Sequence, residues 1–238
     1  MTALAQIPAP PAGFAGTARY SIRARDKRDY HGVLDAKRIL SGMASTESVV
    51  TLREDTGAVV LETDHPMFTG RLREQIRYTR TPSGLVADSL VREIIDDDGV
   101  VVRREAVPTY LHAKIGMPVE MYPEVTLPFI LGWMPLDSRK SLYAWINDRF
   151  VAKLYVESAG KETLAAPIGK RETVKVIMYP DLNDWISLGS VLTKLAKPFI
   201  PKYRMWFEAA APHRLVRFEG PYGPPGAPEI ILELAATA

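Results

Sequence analysis

Cysteine is absent from the 238-residue chain. Its absence excludes disulfides, thiolate metal sites, iron–sulfur clusters and a cysteine nucleophile together. No apolar run approaches the roughly 18 uninterrupted residues of a membrane-spanning helix. Neither sign of charge dominates: 30 Lys and Arg stand against 28 Asp and Glu, a net charge of +2. No long-range field is therefore built for nucleic acid or an anionic membrane. The four histidines, His31, His65, His112 and His213, fall at no spacing that gathers two on one helix or strand face. Nucleophile-elbow, phosphate-loop and dinucleotide fingerprints are missing. The Asp96-Asp97-Asp98 run lacks calcium-loop spacing and reads as a hairpin tip. The sequence thus names no catalytic motif, no metal ligands and no cofactor.

What is present in quantity is period-2 alternation. Over residues 17–25, Ala18, Tyr20, Ile22 and Ala24 share one face and Thr17, Arg19, Ser21, Arg23 and Arg25 the other. Residues 71–80 repeat this, with Leu72, Ile76 and Tyr78 opposite Arg71, Arg73, Gln75, Arg77 and Thr79. Successive strand side chains point to opposite faces, so both segments predict strands with one wet face. Residues 150–156, 174–178, 203–207 and 230–234 follow suit, with less regular candidates at 49–52, 58–61, 85–95 and 100–104. The pattern places Tyr20, Ile22, Leu72, Ile76, Leu154, Val174, Val176, Ile230 and Leu232 inside. Arg19, Arg23, Arg71, Arg73 and Glu233 fall outside.

The connections agree. Asp55-Thr56-Gly57, Pro82-Ser83-Gly84, Asp98-Gly99 and Ala159-Gly160 sit at hairpin distances. The predicted fold is mainly β: one antiparallel meander curled into a half-barrel or barrel. A long amphipathic helix over residues 181–197, capped by Asp181 and ended by Pro198, is expected across its open side. Residues 1–15, Pro-rich from 7 to 13, read as a flexible tether, and 16–238 as a single β-rich domain.

Ala3-Leu4-Ala5 before Gln6 has the small-x-small pattern of a signal-peptidase site, without the basic and apolar regions that precede one. The compartment is left open between periplasm and cytoplasm, and the oligomeric state is left open too.

Residues 108–135 differ in kind. Five prolines exclude a central strand or unbroken helix, with room for a short helix over 127–133, yet the stretch is strongly apolar. Irregular backbone carrying large side chains is what lines a pocket or crosses a barrel mouth. Tyr110, His112, Met117, Met121, Tyr122, Phe129 and Trp133 are the candidate ligand-binding residues here, joined by Trp145 and by Trp185 of the expected helix. Tryptophan offers a broad apolar face with one donor, and methionine adapts to irregular shapes.

From Phe150 onward the chain resembles an uncharacterised family of bacterial, often exported, curled antiparallel-β proteins. The residues carrying the likeness are Val156-Glu157-Ser158-Ala159-Gly160-Lys161-Glu162, Pro167-Ile168-Gly169 and the strand over 174–178. Trp206-Phe207, Pro212-His213-Arg214-Leu215-Val216-Arg217 and the closing strand over 229–234 complete it. The resemblance implies a curled sheet similar to periplasmic lipoprotein carriers and other lipid-binding half-barrels, and it transfers no catalytic residue.

The leading functional expectation is a binding protein or carrier for an apolar small molecule or lipid. A cofactor-independent lyase, isomerase or cyclase using His112 or a tyrosine comes second, and a structural or assembly module third.

Overall fold

Alternation becomes a single sheet. The computed structural model describes residues 7–25, 40–43, 45–67, 69–82, 84–107, 121–147, 150–181, 202–221 and 229–238. The first half consists of β1 (Gly16–Ala24), β2 (Glu47–Asp55), β3 (Ala58–Pro66), β4 (Arg71–Thr81), β5 (Gly84–Ile95) and β6 (Val101–Val107). The second holds β7 (Met121–Pro123), β8 (Lys140–Asn147), β9 (Phe150–Ala166), β10 (Gly169–Pro180), β11 (Tyr203–Glu208), β12 (Leu215–Pro221) and β13 (Glu229–Thr237). Strand order is β6-β5-β4-β3-β2-β1-β13-β12-β11-β10-β9-β8-β7. The first and last strands are neighbours in the middle, and the sheet stays open between β6 and β7. Every adjacent pair is antiparallel except β7 with β8.

The sheet curls around a short helix. α1 (Leu127–Ile130) runs into a 3-10 turn over Leu131–Trp133, and Pro at its start supplies the fixed φ a first turn accepts. Phe129 meets Tyr20 of β1 with ring centroids 5.6 Å apart, and Trp133 meets Tyr78 of β4 at 6.4 Å. On the other side Gly132 abuts the chain just before β12, where a Cβ would stand 2.2 Å from the His213 carbonyl oxygen. One short element touches both halves, so the sheet wraps it. Register shifts at Arg19/Tyr20, Arg77/Tyr78, Ile94/Ile95 and Trp206/Phe207 add the local twist that such coiling needs.

A continuous apolar core follows from this wrapping. Tyr20, Ile22, Ile76, Leu154, Val176, Ile230 and Leu232 are buried as the alternation predicts, while Leu72 and Val174 are half-buried. Arg19 and Arg23 are exposed, whereas Arg71 and Arg73 are half-buried by their pairing with Asp64. The N-terminal stretch expected as a tether is docked where it is described. Ile7 is buried and exchanges two backbone hydrogen bonds with Leu85, at 3.0 and 2.8 Å.

Two further expectations are corrected. Glu233, placed outside, is only 6% exposed. It does lie on the outer face, but Arg217 stands directly opposite on β12 and Arg23 reaches it from β1 at 2.9 Å, and the two long side chains cover it. Ala159-Gly160 is not a hairpin turn. β9 runs through it, and Gly160, at φ 100°, sits in a bulge where residues 158–161 face 174–176. His65 lies on β3 beside Pro66, and the inward alternation of Val59, Leu61 and Thr63 continues through it. Strands β7, β8 and β12 are not anticipated from alternation. Beyond Asp181, the long helix expected over 181–197 lies outside the described residues; among those described, a short interior helix packs against the sheet.

Candidate functional site

Three cross-strand rows cross the inner face of β2 to β5. One is apolar: Leu52, Leu61, Ile76 and Leu90 stand opposite one another in turn. On the far side of the middle row, His65 faces Leu72 and Leu72 faces Ile94, with Ser48 hydrogen-bonded to His65. Between them runs Val50–Thr63–Glu74–Arg92–Glu105, a polar row in an apolar setting.

Glu74 is fully buried. Its Oε1 accepts a hydrogen bond from Arg92 Nε at 2.5 Å and also pairs with Arg92 Nη2. Its Oε2 has no partner, and neither does Oγ1 of the fully buried Thr63 directly opposite. An unsatisfied polar atom of this kind costs about 1–3 kcal/mol, so two in one row call for a ligand or water.

Glu124, in the turn after β7, is a second carboxyl within electrostatic reach of Glu74 and Arg92. Burial raises its pKa, the Glu74 charge raises it further, and Arg92 opposes both. Burial likewise raises Glu74, against the Arg92 charge and hydrogen bond. Among the described residues Glu124 makes no ion pair, and the Arg92 charge acts on both carboxyls. Its charge also reaches Tyr203, whose hydroxyl burial holds well above the usual phenol range.

Ser48 and His65 form a second polar pair, with Oγ and Nδ1 2.9 Å apart. The His65 ring stacks on Phe129 at 5.9 Å with an interplanar angle of 18°. Burial pulls its pKa down to about 4; Asp64 opposes this and Arg71 adds to it. Both residues are buried. The pair is a neutral, sealed hydrogen bond and not an exposed nucleophile.

α1 fills the space in front of these rows. Trp133 packs edge-on against Phe14 at 5.3 Å, and its Nε1 lacks a partner. Tyr78 Oη lies beside the Thr126 hydroxyl without a well-formed hydrogen bond. A cleft lined by Phe14, Thr17, Tyr20, Val50, Phe129 and Arg214 has room for a single water.

The residues singled out from the sequence divide three ways. Tyr122, Phe129 and Trp133 come together in the buried core around α1. Met121 and Trp145 lie on β7 and β8, where their backbones pair with Tyr143 and with Pro123 and Val151; their side chains are outside what is described. Tyr110, His112, Met117 and Trp185 lie outside the described residues. Sequence reading passed over Glu74, Arg92, Thr63 and Glu124. The signal for Glu74 was available: it shares the parity of Leu72, Ile76 and Tyr78, which places a carboxylate on an apolar face. Arg92 shares parity with Leu90 in the same way.

Among the described residues, no group of three or more His, Cys, Asp or Glu is placed to hold a metal ion. No helix among them is long and apolar enough to cross a membrane.

These features define a mainly β protein built as an open, curled meander. No protein-family model and no curated protein matches the chain. Among solved structures, it is similar to the Mycobacterium tuberculosis lipoprotein LppX, at 11% identity and a TM-score of 0.29, over 94% of this chain and 87% of that one. It is also similar to a β-barrel-like protein of the domain of unknown function DUF1849 from Brucella abortus. There the identity is 11% and the TM-score 0.40, over 96% of this chain and 97% of that one.

Proposed function

We propose that this protein binds or carries an apolar small molecule or acyl chain on the inner face of its open sheet. The observation that supports this best is a continuous apolar lining combined with an unclosed wall. The core runs through strands of both halves, while β6 and β7 remain unpaired with each other. A wall left open there admits a guest without breaking a strand pair, and a concave apolar surface with a few convergent polar groups is what a small-molecule site requires. α1 is then a resident plug, and the guest lodges against Phe129 and Trp133. The enzyme and assembly readings gain no specific observation among the described residues.

The test is organic extraction and native mass spectrometry of freshly purified protein, followed by titration of the delipidated protein with a fluorescent fatty acid. A co-purifying apolar molecule, or saturable probe binding at micromolar concentration, is the expected result. Absence of both would overturn the proposal.

A further inference from the structure

The polar row on the inner face leaves two buried oxygen atoms without a partner. Thr63, Glu74 and Arg92 stand in register on β3, β4 and β5, and Glu124, in the turn after β7, is within electrostatic reach of Glu74 and Arg92. Arg92 spends both its Nε and Nη2 on one oxygen of Glu74. Oε2 of Glu74 and Oγ1 of Thr63 are left facing one interior without a partner, although both residues are fully buried. With both carboxyls ionised the group carries two negative charges against one positive, in surroundings where water screens little. Among the described residues such a site lacks one cation carrying several donors. An ammonium group supplies both, as a compact charge with up to three N–H bonds. Tyr78 lies within electrostatic reach of Glu74 and Tyr203 of Glu124, and aromatic rings attract cations. A carboxylate head would meet two like charges, and a hydroxyl head would leave the charge uncompensated.

Building on the carrier reading, we propose that Thr63, Glu74, Arg92 and Glu124 form the head-group subsite, and that the head it takes is a protonated amine on an apolar chain. Glu74 Oε2 and Glu124 accept N–H bonds from the ammonium, Thr63 Oγ1 accepts a third, and Arg92 keeps Glu74 in place.

The experiment compares three probes of equal chain length, decylamine, decanol and decanoate, by isothermal titration calorimetry on delipidated protein at pH 7 below their micellar concentrations. Decylamine is expected to bind about ten-fold or more tighter than decanol, with decanoate weakest. In Glu124→Gln, whose side chain is less buried than that of Glu74, the amine-to-alcohol ratio should fall towards about one. A second measurement needs no variant. On wild type the same ratio should fall from pH 7 to pH 5, as the raised carboxyls take up protons. Equal binding of decylamine and decanol, stronger binding of decanoate, or a ratio unmoved by both Glu124→Gln and pH would overturn the amine subsite and leave the carrier reading standing. Failure of all three probes to bind would overturn both.

Discussion

Gly132 and His213 meet through their backbones, at a separation that leaves no space for a Cβ between them. Through this contact α1 is seated against the second half of the sheet while Phe129 and Trp133 engage the first. Neither partner in the clash is a flexible side-chain end, so the substitution Gly132→Ala must move α1 or the turn before β12. We expect a loss of about 2–3 kcal/mol, read by chemical denaturation. An unchanged midpoint would mean that α1 is not held by the wall on that side.

His65 makes stability pH-dependent in a defined direction. The folded state holds its pKa near 4 and the unfolded chain near 6.5. Unfolded protein therefore binds the extra proton between these values, and the contribution present above pH 6.5 is lost as pH falls towards 4. The full span is about 3 kcal/mol. His65→Gln keeps a polar partner for Ser48 but cannot titrate. Denaturation of wild type and variant at pH 7, 6, 5 and 4 should show the wild-type advantage shrinking across that window. Parallel curves would place the acid sensitivity elsewhere.

Glu233 tests the outer face. Burial alone would raise its carboxyl, and the hydrogen bonds and charges of Arg23 and Arg217 more than offset this, leaving the pKa below the usual range. Removing the carboxylate leaves Arg217 beside a neighbour that no longer neutralises it. Glu233→Ala should cost about 2–3 kcal/mol at pH 7. Glu47→Ala removes the exposed partner of Arg19, 2.6 Å away, and should cost no more than about 0.5 kcal/mol. Equal losses from the two variants would show that coverage by flanking arginines adds nothing.

Ile7 tests the docking of the N-terminal stretch. It is 1% exposed, and its backbone approaches Gly84 so closely that a Cβ there would lie 2.6 Å from the Ile7 carbonyl oxygen. Truncation to alanine should cost about 2–5 kcal/mol, the usual range for a buried isoleucine. A residue on a free tether would show no change in thermal unfolding.

Much of this architecture is legible from local rules. Alternation over residues 17–25 and 71–80 identified β1 and β4 with their faces, because the strand period is set by backbone geometry within a few residues. The same parity placed Glu74 among apolar neighbours, a sign in the sequence of the polar row. Glycine alone did not separate a turn from a bulge: Gly57 ends a hairpin, while Gly160 lets β9 continue with an extra residue. Both need a positive φ, and only the partner strand distinguishes them.

Tertiary structure decided the rest. The pairing of β1 with β13, the seating of α1 between the halves, and the electrostatic coupling of Glu124 to Glu74 and Arg92 join residues far apart in the chain. Glu233 shows the physical reason. Alternation fixes the face a side chain occupies, and so it put Glu233 outside. Whether that outside position meets water depends on lateral neighbours, here Arg217 on β12 and Arg23 on β1, which no local period can supply.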